Sequence, residues 1–461
     1  MNYKIEIDSL KNNEYLINDF IKTENCGNII SILNHLGKLP KDFSPKPLLL
    51  ALENDNNKIR YLALKNLAKL SDIKLLSKYK DVVRNDVSAN VRREAVSAIG
   101  RLRDENTITF LTQLLKDNDP EVVLQAIRGL LVFKKNDTVR ECLKSLSNHP
   151  NEIIQDVIKK EFKDKNITKN IHKHSLSPYF LKNCVVQEDV KNVVKLIPDE
   201  SIHLTFTSPP YYNARDYSIY QSYNEYLEFL ESVFKEVHRI TKEGRFFILN
   251  TSPIIIPRVS RQHSSKRYPI PYDIHPLLIK MGWEFIDDII WVKPEASVKN
   301  RVAGFEQHRK PLAYKPNPRS ESIMVYRKKT DKLLDWNIKQ YFWETIEKSK
   351  IKESYETSNI WEIDPVFDKT HTAVFPIELC NRIIKLYSYI GDLVFDPFGG
   401  SGTMAKAAQE LQRYFLLTEI KPDYINRIKE KLSQSTFFSN AKFQPAFLKL
   451  QDFKKRIEEY K

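Results

Sequence analysis

Two short strings in this 461-residue sequence set side by side the residue types that small-molecule chemistry needs. The first is Thr207-Ser208-Pro209-Pro210-Tyr211, which follows the apolar run Ile202-His203-Leu204-Thr205-Phe206. Consecutive prolines fix φ and remove backbone donors, so the carbonyls here are held rigidly with no amide competing for them. A hydroxyl, a fixed carbonyl and an aromatic ring then line a space suited to a flat heterocycle with an exocyclic amino group. Ser208 and the Pro209 carbonyl would accept the amino hydrogens while Tyr211 stacks on the ring. An aryl amine is a poor nucleophile because its lone pair is delocalised. Acceptors that draw the nitrogen toward tetrahedral geometry would expose that pair to an electrophile. The same string also suits a Pro-Pro turn around a buried tyrosine.

The second string, Asp392-Leu-Val-Phe-Asp-Pro-Phe-Gly-Gly-Ser-Gly-Thr403, reads as a strand running into a glycine-rich turn and then a helix from Met404 to Leu411. Three of the chain's 11 glycines, Gly399, Gly400 and Gly402, fall in this turn. Glycines let a ligand approach the backbone, and a helix N-terminus offers free amides to a carboxylate. The string lacks the lysine of a phosphate-binding Walker loop and the spacing of the dinucleotide fingerprint. The next apolar run, Tyr414-Phe-Leu-Leu-Thr-Glu419, ends in an acid that could accept both hydroxyls of a ribose.

Both strings need elements to carry them. After Pro178, short β-rich runs alternate with amphipathic helices, the pattern of an α/β fold with an open, mostly parallel sheet covered by helices on both faces. Candidate strands end at Thr207, Asn250, Lys293, Asp396 and Glu419, and ligand sites of such sheets lie at those carboxyl ends. The first third is different. His35-Leu-Gly-Lys-Leu39, Asn66-Leu-Ala-Lys-Leu70, Ala98-Ile-Gly-Arg-Leu102 and Gly129-Leu-Leu-Val-Phe133 recur with a period of stacked helix pairs, with polar breaks around Asn56, Asp86 and Asp119. Small residues at Ala63, Ala95 and Ala126 would let the helices approach closely. The expected domains are an all-α HEAT-like solenoid over 1–165, a polar linker over 166–177 and a catalytic domain over 178–461.

With 41% apolar residues and no glycine- or proline-dominated tract, the chain is globular, neither fibrous nor low-complexity. Four scattered cysteines make neither a disulfide framework nor a metal cluster and fit a reducing compartment. No apolar run is long enough for a membrane span, so the expected location is cytoplasmic, with no membrane and no metal. A net charge of +14 favours an anionic partner.

Ser208-Pro-Pro-Tyr211 resembles the catalytic motif, and Phe395-Asp-Pro-Phe-Gly-Gly-Ser-Gly-Thr403 the S-adenosylmethionine motif, of the DNA amino-methyltransferases that modify cytosine N4 or adenine N6. Their order is similar to the circularly permuted β group, a Rossmann-like fold. Glu225-Tyr-Leu, Lys235-Glu-Val-His-Arg239, Ile290-Trp-Val-Lys-Pro294 and His371-Thr-Ala-Val-Phe-Pro376 follow the same order. The resemblance implies that Ser208, Pro209, Pro210 and Tyr211 form the target-base site. It also implies that Asp396, Phe398, Gly399, Gly400 and Gly402 hold the methionine end of S-adenosylmethionine, Glu419 its ribose and Asp189 its adenine edge, with Phe375 closing the methionine side. The family often has Gly-Asp where this chain has Glu188-Asp189, and His-Pro where it has His371-Thr372.

A target-recognition region is expected over about 295–370. Lys293 to Lys329 contains ten Lys/Arg against three acids, and Lys299, Arg301, Arg309, Lys310, Lys315 and Arg319 are the candidate DNA contacts. A solvated basic face is the alternative. The expected activity is methyl transfer to cytosine N4 in double-stranded DNA within a restriction-modification system, because Ser-Pro-Pro-Tyr is seen in this family mostly with cytosine. Adenine N6 is the alternative, and a scaffold of weak activity is a second. The repeats could extend the DNA footprint through Arg92, Arg93, Arg101 and Arg103, or dock a restriction endonuclease or regulatory protein.

Overall fold

The computed structural model describes residues 7, 9–40, 42–162, 173–212, 220–260, 262–355, 357–366, 375–433 and 444–460. The chain divides into two compact units, Met1–Ile167 and Thr168–Lys461. No helix among the described residues is long and apolar enough to cross a membrane.

The first unit is helical. Its repeating pairs include the helices Asn57–Leu67, Leu76–Asn85, Ala89–Leu102, Pro120–Leu130, Asp137–Lys144 and Glu152–Phe162. Two of the polar breaks start helices directly: the side chains of Asn56 and Asp119 accept hydrogen bonds from the amides of Lys58 and Glu121. Ala63, Ala95 and Ala126 are fully buried between neighbouring helices. Gly100 and Gly129 mark the closest approach, where a Cβ on Gly100 would lie 3.0 Å from the Gly129 Cα.

Successive repeats are also tied by a ladder of ion pairs. Arg60 makes two hydrogen bonds to Asp86, at 2.8 and 2.9 Å, and one repeat further on Arg93 does the same to Asp119, at 2.8 and 3.0 Å. Arg92 bonds the carbonyls of Asp86 and Val87, and Arg101 bonds Glu94 and Ser97. Three of the four arginines expected to extend a DNA footprint are therefore engaged within the stack. A bidentate guanidinium that fastens one repeat to the next has its donors directed at protein.

The second unit is built on a nine-stranded sheet in the order β11-β1-β10-β9-β2-β3-β7-β6-β8. Its strands are β1 (Cys184–Gln187), β2 (Ile202–Thr207), β3 (Thr241–Thr251), β6 (Trp283–Val292), β7 (Ser320–Lys328), β8 (Ile360–Glu362), β9 (Leu393–Asp396), β10 (Tyr414–Glu419) and β11 (Ala446–Lys449). A separate hairpin joins β4 (Ile254–Ile256) to β5 (Lys266–Tyr268). All pairings in the large sheet are parallel except those of β7, which runs antiparallel to both β3 and β6. Alternate residues feed two cores. Phe247, Leu249, Leu393 and Phe395 pack with helix Tyr223–Ile240, while Ile248, Val394, Phe415 and Leu417 pack with helices Ile377–Tyr387 and Thr403–Glu410. The strands read from the sequence end within one residue of the expected positions, at Thr207, Thr251, Val292, Asp396 and Glu419.

Two expected boundaries change. Residues 320–328 and 360–362 are sheet strands, so the region expected as recognition structure over 295–370 contains part of the core. The excursion between β6 and β7 is the part that leaves the sheet. Of the expected linker, 166–172 lie outside the described residues, and its last residues dock onto the sheet. Ser177 Oγ donates to the Ser201 carbonyl at 2.8 Å, and His203 Nε2 lies 3.2 Å from the His174 carbonyl. This docking belongs to a buried cluster at the amino ends of β2 and β9, where Asp392 pairs with Arg245 and accepts from Tyr341 Oη at 2.6 Å.

Candidate active site

The carboxyl ends of β1, β10, β9 and β2 lie side by side, because Gln187 is in register with Glu419, Asp396 with Leu417, and Phe395 with Thr205. Over them opens a cavity of about 400 Å³. Ser208, Pro209, Pro210, Tyr211, Asp189, Phe375, Asp396, Phe398, Gly399, Gly400 and Glu419 all line it. The two strings singled out by their chemistry therefore face one space. Gly402 is not among the lining residues. It shapes the turn from behind, at φ +75°, where a Cβ would meet Ile428 Cγ1 at 2.8 Å.

Local bonds hold each group. Thr207 Oγ1 donates to Asp396 Oδ1 at 2.7 Å, and the Phe398 amide donates to the same oxygen at 3.0 Å. Glu419 accepts from the amides of Gly400 at 2.8 Å and Lys421 at 2.9 Å, so the glycine turn and the acid at the second strand end fix each other. Asp189 caps helix Val190–Val194 through the Lys191 amide at 2.8 Å. Phe375 stacks on Phe206, with ring centroids 4.7 Å apart. His371 lies outside the described residues.

Burial pushes the Asp396 carboxyl up to about 7, against the pull of Thr207 and the Phe398 amide and with the help of the Glu419 charge. Burial raises Glu419 too, opposed by the amides of Lys421, Gly400 and Ile420. Two acids held out of water in a cavity that also presents Tyr220, Phe229 and Phe398 make a site for a cationic ligand with a flat ring. Among the described residues, no group of three or more His, Cys, Asp and Glu is arranged to hold a metal ion.

Residues 202–430 match the sequence profile of the N6/N4 DNA methylases, and 45–131 and 76–158 match HEAT repeats. Residues 202–430 form a DNA methylase domain of the N6/N4 family. The chain is 30% identical over 261 residues to the type II beta methyltransferase M.BslI of Bacillus sp. (strain NEB-606), a match covering 54% of this chain and 27% of that protein. It is 26% identical over 287 residues to the type II methyltransferase M.Cfr9I of Citrobacter freundii, covering 55% of this chain and 89% of the other. Among solved structures, a putative DNA modification methylase of Thermus thermophilus, complexed with S-adenosyl-L-methionine, is 26% identical, with a TM-score of 0.46, covering 58% of this chain and 99% of that one.

At the Ser208–Tyr211 turn, Tyr211 Oη donates to Glu321 Oε2 at 3.3 Å, and the hydroxyls of Ser208 and Ser252 bond it as well. Glu321 also accepts from Asn250 Nδ2 at 2.6 Å and pairs with Lys293, whose ammonium lies over the Trp291 ring. In the sequence Lys293 stands out as a strand end, a motif residue and a charge, Glu321 as a charge and Asn250 as a strand end, with nothing to bring the three together. They meet because β6 and β7 are antiparallel, with Val292 opposite Ser320. Glu321, one of three acids among ten Lys/Arg and placed beside the apolar centre Ile323-Met-Val-Tyr326, is the signal the sequence carries. Lys421 and Tyr424 line the cavity without having been singled out.

None of Lys299, Arg301, Arg309, Lys310, Lys315 and Arg319 lines the cavity. All six lie in the excursion between β6 and β7, exposed except for half-buried Arg301. The excursion is clamped at its base, where the Lys293 amide donates to the Arg319 carbonyl at 2.8 Å and Arg319 Nε donates to the Lys293 carbonyl at 3.0 Å. The β4–β5 hairpin stands beside it. Tyr268 packs on Tyr212 at 4.9 Å, and the Arg267 charge reaches Arg301.

Proposed function

We propose that this chain transfers a methyl group from S-adenosylmethionine to the exocyclic N4 of cytosine in double-stranded DNA, as the modification enzyme of a restriction-modification system. The observation that carries the reading is that the Ser208–Tyr211 turn and the glycine turn at 396–402 border one cavity, although they lie far apart in the chain. The donor set suits the cofactor. Asp396 and Glu419 are buried carboxylates for a cationic amino acid end and a ribose, Asp189 is an acceptor at the far side, and aromatic rings flank the space. When bound, S-adenosylmethionine supplies a methyl group made electrophilic by its sulfonium.

The rest is done by residues of the chain. Glu321 can only accept, so the Tyr211 hydrogen goes to it and the Ser208 hydrogen goes to Tyr211. Ser208 is thereby left with lone pairs for the amino hydrogens of a base, beside the Pro209 carbonyl. An amino group inside the base stack cannot meet the methyl in line, so the base must leave the duplex to enter this pocket. Lys299, Arg301, Arg309, Lys310, Lys315 and Arg319 supply phosphate contacts at its side. The preference for cytosine over adenine rests on Ser208 standing where adenine-modifying relatives mostly carry Asp or Asn.

The repeats are proposed to dock a protein, a cognate endonuclease or a regulator, because Arg92, Arg93 and Arg101 are committed to the stack. Base-resolved methylation mapping of DNA treated with the full chain tests activity and site together, and digestion to nucleosides tests the base. Loss of transfer in Ser208→Ala and Tyr211→Ala supports the assignment. Unchanged transfer in either overturns it, and N6-methyladenine in the digest replaces the base.

A further inference from the structure

The sequence Arg309-Lys-Pro-Leu-Ala-Tyr-Lys315 forms a segment of the β6–β7 excursion with two exposed large side chains, Tyr314 and, fully out in solvent, Leu312. Leu312 is 103% exposed, its backbone lies in the left-handed region at φ +66°, and its immediate surroundings in sequence are cationic. A non-glycine residue is strained at such φ, and a leucine that buries nothing gains nothing from folding in return. The segment is nonetheless braced. Tyr314 meets Phe305 edge-on at 5.3 Å, the Arg309 guanidinium lies 5.7 Å over the Phe305 ring, and the Ala313 amide closes on the Lys310 carbonyl at 3.3 Å. The excursion also leaves the sheet next to Glu321, the residue that holds Tyr211 in the target pocket.

We propose that Leu312 is the wedge that enters the base stack as the target base leaves it. The inference rests on the reading of this chain as an enzyme of duplex DNA, and it names a residue for a step that reading requires. Extruding a base opens a gap, and an apolar side chain inserted between base steps fills it and keeps the base from returning. A wedge has to be exposed before DNA arrives, held in a fixed direction, and flanked by cations that hold the phosphates on either side. Leu312 is exposed, its backbone sits in a braced segment, and cations lie on both sides of it in sequence. A protein-docking surface would instead present a broad apolar patch, whereas here Leu312 and the aromatic Tyr314 lie between Arg309 and Lys310 on one side of the sequence and Lys315 on the other.

The test uses the full chain, labelled S-adenosylmethionine and two duplexes carrying the site found by methylation mapping, one fully paired and one mismatched opposite the target base. Leu312→Gly suits the left-handed backbone and removes a side chain that packs on nothing, so folding is preserved. The expected result is a rate on the paired duplex lowered about 10- to 100-fold, and a rate on the mismatched duplex within about 3-fold of the unsubstituted chain, because a mismatched base is easier to extrude. Leu312→Met, which keeps the apolar bulk, should stay within about 3-fold on both. An unchanged rate of L312G on paired DNA, an equal loss on both duplexes, or an L312M enzyme as slow as L312G overturns the wedge. Failure of the unsubstituted chain to methylate either duplex refutes the underlying function instead, so the two failures are distinguishable.

Discussion

Thr207 donates its hydroxyl hydrogen to Asp396 at 2.7 Å, across 189 positions of chain. The bond joins the last residue before the Ser208–Tyr211 turn to the first acid of the glycine turn, so the two halves of the proposed reaction share one buried proton network. Asp396 titrates near neutrality, at about 7, and only its ionised form attracts a cation. Cofactor affinity should therefore rise with pH through about 7. Thr207→Val removes the donor that lowers this pKa, so the rise should move to higher pH, and affinity at pH 7 should fall about 3- to 10-fold. Calorimetric titrations between pH 6 and 9 check both, and coincident profiles for the two proteins would contradict the coupling.

Asp396 should also cost stability. Its folded pKa lies above the ordinary 3.8, so the folded form holds its proton where the unfolded chain has lost it. That stabilisation is present below about 3.8 and disappears as pH rises through about 7. Asp396→Asn should raise the melting temperature of the ligand-free protein, more at pH 8 than at pH 5, with a gain in stability of up to roughly 4 kcal/mol, while weakening cofactor binding. Calorimetric scans at the two pH values give the comparison. A melting temperature lowered at pH 8 would count against a buried carboxylate under strain.

The buried cluster at the amino ends of β2 and β9 gives the opposite slope. His203 is held down to about 3 and His174 to about 4, mainly by burial, with Arg245 and Lys242 adding to it and Asp392 opposing it. Both are neutral when folded and take up protons near 6.5 when unfolded. Stability should fall as pH drops below 6.5, by up to about 1.4 kcal/mol per pH unit for each histidine, until about pH 4 for His174 and pH 3 for His203. Urea midpoints at pH 7, 6 and 5 should decline, and less steeply in His203→Gln. A flat series would refute the assignment of neutral histidines.

The repeat ladder predicts coupling between sites far apart in sequence. Arg60 and Asp86 side chains are 11% and 9% exposed, and the pair is bidentate. Asp86→Ala should cost roughly 2 kcal/mol, and a double-mutant cycle with Arg60→Ala should show about 1 kcal/mol of interaction. Hydrogen exchange in helices Asn57–Leu67 and Ala89–Leu102 of the full chain reads the effect locally. Additive costs would mean that the pair does not bind the repeats together.

What could be read in advance follows from where each contact's two halves lie. Thr207, Asp396 and Glu419 were legible because each ends an apolar run directly before a turn of unusual composition. β7 was not, since its short apolar centre, Ile323-Met-Val-Tyr326, sits between charged ends inside a stretch read as recognition structure. Tyr211 and Glu321 are 110 residues apart, and nothing near either names the other. The arginines of the solenoid were a nearer miss. Arg60 and Asp86, like Arg93 and Asp119, are 26 residues apart, a repeated opposite-charge spacing that the periodicity of apolar residues concealed.

The clamp between Lys293 and Arg319 has an evolutionary consequence. Reciprocal main-chain and guanidinium bonds close the excursion on neighbouring antiparallel strands, whatever lies beyond them. The segment 294–318 can therefore be lengthened, shortened or exchanged between lineages as a cassette, with the sheet supplying both splice points. On the proposed function, a change in which DNA sequence is read would then be uncoupled from the chemistry beneath it, so specificities could diversify without the catalytic apparatus having to be reinvented.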